Sequence, residues 1–425
     1  MYSGEWYRKR KGAAMTEKIQ QKTSKVNLRT PEVMNLVKAE VESHYRSPLV
    51  EYLRTTGRYL SGGGITVKLA KAFGFCYGVE RAIDLAYATT KVFPTKRIYL
   101  LGEIIHNPEV NDQLTAMGIK RLQAVQGRYS LDGLTADDVV IIPAFGAEVE
   151  TMKRIQQIGC QIVDTTCGDV MTVWKRVRQY RNEGATSIIH GKAWHEETKA
   201  TASRAIGEDG NGQYLVVYNL EETDYVCNYI RYGGDKQEFL QKFKGAVSPG
   251  FDPDIHLRHV GVANQTTMMR GETEEVQRRI CKAIEDRYGK ENLHKHFRFF
   301  DTICGATQER QDALLDMLDR EKLDLLIVVG GYNSSNTSHL AEIGEGRLPT
   351  YFIKNAEKLI SSQQIRHWNL HEGREVITEG WLGEGEINVG ITAGASCPNN
   401  LIEETIQRLF ELRGIGVESL LANSK

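Results

Sequence analysis

From residue 65 onward the sequence alternates two periodicities, and this alternation limits the possible folds more than any other feature. Short apolar runs of strand length occur at 65–70, 97–105, 138–143, 161–164, 186–190, 214–218, 259–263, 298–302, 323–329, 350–353 and 387–391. Stretches with helical spacing separate most of them, at 78–91, 147–159, 168–183, 272–288, 305–321 and 399–413. Strands alternating with helices predict α/β units built on parallel sheets. At 425 residues the chain has the length of about three such domains.

The flanking segments read differently. Residues 26–60 have the pattern of a polar helical extension: Pro31 suits a first helical turn, and Met34, Leu36, Val37, Val41 and Tyr45 recur at roughly helical spacing. Gly62, Gly63 and Gly64 break it. The basic run Arg8–Lys11 is not followed by the apolar stretch of a secretory signal, and the first 25 residues are expected to be partly disordered. Residues 221–254 are rich in glycine and charge and are expected to form an insertion or long surface excursion. No apolar run approaches the roughly 20 residues that span a bilayer. Lys plus Arg (54) balances Asp plus Glu (55), which argues against a general nucleic-acid binder. The expected location is the cytoplasm, or the plastid stroma if the source is a plant or alga, with no membrane or nucleic-acid partner.

Seven cysteines, an odd number with no CxxC pair, exclude a disulfide scaffold and the common zinc-finger and ferredoxin spacings. Three of them occupy equivalent places. Val163-Asp164-Thr165-Thr166-Cys167-Gly168 echoes Phe300-Asp301-Thr302-Ile303-Cys304-Gly305, and Phe73-Gly74-Phe75-Cys76-Tyr77-Gly78 follows the same plan. In each, a strand ends at a cysteine that opens a helix, where free N–H groups and the helix dipole favour a thiolate. Three thiolates meeting beyond the ends of parallel strands suit an iron–sulfur cluster with one iron left open, because a closed structural zinc site takes four ligands. Cys160, Cys227 and Cys281 lie inside apolar patterns and are read as small core residues. Cys397, in a polar turn, is open to either reading.

Polar blocks follow three strands: Gly330-Gly331-Tyr332-Asn333-Ser334-Ser335-Asn336-Thr337, Gly394-Ala395-Ser396 and Asn264-Gln265-Thr266-Thr267. Any one of them alone would be a capped helix or a turn. Three at strand ends point to a polar, phosphorylated ligand held by hydroxyls, amides and backbone N–H groups. No Walker A or dinucleotide fingerprint indicates a nucleotide. His106-Asn107-Pro108 and His195-Glu196-Glu197 also follow strands, and Glu197 is the general-acid candidate. Glu196 is expected to point elsewhere, since neighbours in an extended segment alternate faces.

In combination the blocks GFCYGVERA, EIIHNPEV, DTTC, HEET, NQTT, DTICGATQERQ, GGYNSSNTSHL and GITAGAS, from about residue 65 to 405, resemble the LytB-type 4-hydroxy-3-methylbut-2-enyl diphosphate reductases. The polar extension and Pro143–Ala147 (PAFGA) are similar to the plant and cyanobacterial branch. The resemblance implies three α/β domains in a trefoil, at 78–167, at 168–303 with the insertion near 221–254, and at 65–77 plus 304–425, behind an N-terminal extension at 1–64. It implies one 4Fe-4S cluster with an open iron on Cys76, Cys167 and Cys304. It implies diphosphate and hydroxyl contacts from His106, His195, Thr266, Ser334, Ser335, Asn336 and Ser396, with Glu197 as proton donor. Phe145 departs from the bacterial branch, which often has a histidine there; His190 is the candidate replacement. Cys397 stands where a small residue is common and is not counted as a ligand.

The implied reaction is the last step of the methylerythritol phosphate route. It is a two-electron, two-proton loss of an allylic hydroxyl as water, giving isopentenyl and dimethylallyl diphosphate. Electrons are expected from an external one-electron donor, ferredoxin or flavodoxin. Two other classes share part of this chemistry. An iron–sulfur hydro-lyase needs no net electrons. A redox sensor needs no phosphate-type blocks, and the three such blocks speak against it.

Overall fold

A computed structural model describes residues 28–125, 128–300 and 302–422. The segment expected to be disordered, residues 1–25, lies outside the described residues, as does Asp301.

Three sheets carry the fold, and their strands share one order. In the first sheet the order is Lys120–Leu122, Ile98–Leu101, Val139–Ile142, Gln161–Asp164, all parallel. In the second it is Tyr214–Val217, Thr186–His190, Val260–Asn264, Phe297–Phe299, again all parallel. The parallel centre of the third is Thr350–Ile353, Leu325–Val329, Ile387–Ala393, Ile65–Leu69. Numbered along the chain, each unit has the order 2-1-3-4 once Ile65–Leu69 is taken as the fourth strand of the third unit. The order reverses between strands 1 and 3 in every unit, and in open α/β sheets ligands bind beyond the carboxyl ends of the strands at that reversal.

The central strands form because they are continuous β-branched and apolar runs buried on both faces, as in Leu325–Val329 and Val139–Ile142. Each fourth strand then leads through a cysteine into a helix that packs on the next unit. Tyr77–Val92 buries Val79, Ala82, Ile83 and Ala86 with Leu100 and Val139 of the first unit. Gly168–Asn182 buries Val173, Val177 and Tyr180 with Ala205 and Ala263 of the second. Gly305–Arg320 buries Ala313, Leu314 and Met317 with Leu325 and Leu326 of the third. The three cysteines are the points where the chain crosses between units.

Two expectations need correction. The extension at 26–60 is two helices and a strand: Pro31–Tyr45 and Pro48–Thr55, each opened by a hydroxyl residue before proline, then Tyr59–Gly62, which pairs antiparallel with Ile65–Leu69. The glycines are the hairpin turn and not a boundary. The first helix lies on Tyr77–Val92 through a Lys91–Glu40 ion pair at 2.6 Å and a Tyr87 hydroxyl shared with Tyr45 and His44. The supposed insertion is helical, at Leu220–Tyr232, Lys236–Lys242 and Pro253–His256. Its Val226, Tyr229, Ile230, Phe239 and Phe243 belong to the second unit's core. Asn219 caps the first of these helices and Glu222 reaches back to Tyr218 N, a capping signature within the charge-rich stretch.

Candidate active site

The cavity where the three units meet has a volume of about 110 Å³ and draws its walls from all of them. Cys76, Cys167 and Cys304 line one side, each a free thiol at a helix N-cap with no side-chain cap bond. Residues following strands 1 and 3 line the other: His106 and Phe145, His195 and Thr266, Ser334–Asn336 and Ser396. Glu197 is also on this wall, so every expected site residue faces one space.

The thiol side is shaped for a group larger than one ion. Among the described residues, the only three-ligand set close enough to hold a single ion is His106, His195 and Glu196, so the three sulfurs stand farther apart than one ion requires. Gly78 leaves the room between them: a Cβ there would lie 2.5 Å from Cys167 Sγ and 3.9 Å from Cys76 Sγ. Burial pushes the Cys304 thiol up to about 12, with Asp169 within hydrogen-bond reach, and also raises Cys167. Backbone N–H groups of Asp169 and Val170 at Cys167, and of Thr307 at Cys304, pull the other way. Such thiols become thiolates only with cationic metal beside them. Three thiolates held apart around a glycine-lined space are therefore a donor set that fits an iron–sulfur cluster.

The opposite side presents donors whose orientation is fixed. Asn336 Oδ1 accepts from Ala395 N at 2.8 Å, which leaves Nδ2, buried and without a partner, as its remaining donor. His195 Nδ1 accepts from Glu197 N at 3.1 Å, which places the proton on Nε2, also unpartnered. Burial holds the His195 imidazole well below its ordinary pKa, so it is a neutral ring with a donor turned inward. That tautomer opposes the single-ion reading of His106, His195 and Glu196, because a metal needs the Nε2 lone pair. Ser335 Oγ and His106 Nε2 complete four buried atoms without partners. Ser334 accepts from Thr337 and receives the Ser396 hydroxyl at 3.3 Å. An acceptor-rich ligand would satisfy this wall.

Glu197 is 3 % exposed. Its two oxygens accept from Thr266 N at 2.6 Å and Thr266 Oγ1 at 3.0 Å. Burial raises its pKa to about 7 against the pull of those donors.

An outer pocket of about 590 Å³ shares His106, Phe145, His195 and Ser335 with the cavity and adds Glu103, Arg121, Lys192, Trp194 and Glu196. Glu196 points elsewhere than Glu197, as expected, but not because extended neighbours alternate. The chain is helical from Glu196 to Ile206, so neighbours turn by about 100° and do not alternate. Glu197 enters the cavity, while Glu196 faces the outer pocket with Oε2 3.9 Å from His106 Nε2. His190 is no replacement for a histidine at 145. It is fully buried, bonded to Thr273 Oγ1 at 2.8 Å, and lines neither space. Phe145 instead stacks on His106, ring centres 4.7 Å apart. Cys397 is buried in the third unit's core, away from the cavity lining. Sequence reasoning missed Glu103, Gly78 and Arg310, although Gly78 and Glu103 lie two and three residues from Cys76 and His106.

Residues 67–410 match the family model described as LytB protein. A relative in Thermosynechococcus vestitus, named 4-hydroxy-3-methylbut-2-enyl diphosphate reductase, is 47% identical over 90% of this chain and 94% of its own. One of the same name in Gloeobacter violaceus is 49% identical over 89% of this chain and 91% of its own. A solved structure described as (E)-4-hydroxy-3-methyl-but-2-enyl diphosphate reductase, the terminal enzyme of the non-mevalonate pathway, is 27% identical, with a TM-score of 0.50 over 81% of this chain and 99% of that one. The Plasmodium falciparum reductase structure, at 20% identity and a TM-score of 0.57 over 80% of this chain and 86% of that one, shares the fold. With its family-model match, its close relatives and three cysteine crossings around one cavity, the chain belongs to the LytB protein family.

Proposed function

We propose that this protein is a 4-hydroxy-3-methylbut-2-enyl diphosphate reductase, which removes the allylic hydroxyl as water with two electrons and two protons and yields isopentenyl and dimethylallyl diphosphate. The observation that carries the reading is the pairing, across one cavity, of three free thiols with four unpartnered buried polar atoms.

Cys76, Cys167 and Cys304 are the residues that would hold a 4Fe-4S cluster with one iron free of protein. When bound, that group supplies one-electron steps and a Lewis-acidic site for the hydroxyl oxygen. The remaining chemistry belongs to the chain's own side chains. Asn336 Nδ2, His195 Nε2, His106, the serine hydroxyls and the first turn of the helix Ser335–Glu345 hold the diphosphate. Apart from His106 these are neutral donors, effective because they are preorganised and shielded from water. Anchored there, the five-carbon end lies toward the thiols. Glu197, with a pKa raised to about 7, retains a substantial protonated fraction at neutral pH and delivers that proton to the leaving oxygen directly or through Thr266 Oγ1. Electrons come from an external one-electron carrier of the ferredoxin or flavodoxin type.

The test is anaerobic purification with iron and sulfide analysis, followed by turnover with a chemical reductant. Four iron and four sulfide per chain and strictly reductant-dependent product support the reading. Water loss without reductant points instead to a hydro-lyase.

A further inference from the structure

His106 differs from His195 in which nitrogen carries its proton. Its Nδ1 lies 3.2 Å from Glu103 Oε2. Asn333 Nδ2 donates to the same oxygen at 2.9 Å, which accounts for the 3.4 Å spacing between these two donors. A bare Nδ1 would set a lone pair against a carboxylate, so Nδ1 carries the hydrogen. In the neutral ring Nε2 is then a lone pair, and Nε2 is buried without a hydrogen-bond partner in a residue that lines the cavity. A lone pair cannot donate to a phosphate oxygen.

We propose that the diphosphate binds together with one proton, taken up at His106 Nε2, and that Glu103 is the positioning residue that makes this uptake favourable. The inference rests on the diphosphate reading above and extends it to proton linkage. Glu103 lies behind the ring and supplies negative charge on the side away from the ligand. It is itself anchored by Arg121 Nη2 at 3.3 Å and by Asn333, which reaches across from the third unit. Burial works against its charge, but the contact with His106 first, and then Asn333 and Arg121, hold its carboxyl below the ordinary range, so carboxylate and ring favour each other's charged form. The other charged or titratable groups facing His106 are Glu196 at 3.9 Å from Nε2, His195 with its ring 5.0 Å away, Glu197 within electrostatic range, and Lys192 and Tyr129 across the outer pocket. Phe145 covers one ring face and offers no donor, so nothing on that side substitutes for the proton.

The test is calorimetric titration of the anaerobic holoenzyme with inorganic pyrophosphate near pH 8, in buffers of different ionisation enthalpy. Wild type should take up about one proton more than His106→Gln, whose amide donates without titrating. In Glu103→Gln the amide oxygen still accepts from Nδ1, but the charge is gone. Affinity should fall about tenfold at pH 8 and recover toward wild type near pH 6, and Glu103→Asp should restore much of it. Equal proton uptake in wild type and His106→Gln overturns the proposal, as does a Glu103→Gln defect of the same size at every pH. Pyrophosphate that fails to bind wild type at any concentration overturns the diphosphate reading itself.

Discussion

Arg310 closes on Gly74: its Nη2 and Nε donate to the Gly74 carbonyl at 2.6 and 3.1 Å, and Nη2 also reaches Phe75 O at 3.1 Å. Those carbonyls immediately precede Cys76, and Arg310 lies on the second turn after Cys304. One buried guanidinium thus ties two of the three cysteine junctions together, and its charge lies within range of both sulfurs.

Arg310→Met should loosen the Cys76 loop. Each carbonyl left unpaired costs about 1–3 kcal/mol, so a fall in thermal midpoint of several degrees is expected together with reduced iron content. Arg310→Lys should retain more of both. Iron stoichiometry and a melting curve check this, and wild-type values for the Met variant would refute it.

Replacing Cys76, Cys167 or Cys304 by serine should abolish stoichiometric iron and activity together. Cys397→Ala and Cys227→Ala, both in cores, should keep iron and pay only in stability, on the order of 1–2 kcal/mol. Iron and sulfide analysis of anaerobic preparations distinguishes the two groups.

Gly78→Ala is the smallest change that tests the space between the sulfurs. The added methyl would lie 2.5 Å from Cys167 Sγ, and it is not at the end of a flexible chain. The variant should fold, with a circular dichroism spectrum like wild type, and bind much less iron.

Glu197→Gln should keep its iron and its affinity for pyrophosphate, yet turn over about two to four orders of magnitude more slowly. In wild type the carboxyl is the useful acid only while protonated. With its pKa raised to about 7, the chemical step should be on a plateau below pH 7 and fall about tenfold per unit above it. Single-turnover rates between pH 6 and 9 test the profile, and a flat profile would remove Glu197 from the role.

The parts of this architecture that the sequence discloses are those written locally. Central strands such as Leu325–Val329 are continuous apolar runs, and each cysteine follows a strand and opens a helix within a few residues. Helices whose first turns face the cavity are harder to see. Ser335–Glu345 buries every residue from Ser335 to Ala341, polar and apolar alike, so it has no amphipathic stripe to betray it. Pro108–Ala116 was signalled only by Asn107 before proline. The hairpin Gln364–Asn369 with Arg374–Glu379 is half exposed and lacks apolar contrast. Arg310 and Gly74 are 236 residues apart, and Asn333 meets Glu103 across 230. No local pattern carries pairings of that kind.

The third sheet places its fourth strand, Ile65–Leu69, at the front of the chain and inserts Ile387–Ala393 between it and Leu325–Val329. The Cys76 amide is then held by the carbonyl of Ala395 at 3.2 Å. During synthesis the first two units can close on the ribosome while Cys76 still has no sheet behind it. Its seat is completed only when residues near 395 emerge from the exit tunnel, more than 300 residues after Cys76 itself was made. A chain cut short of that point keeps two complete α/β units but leaves Cys76 without the backbone partner that seats it.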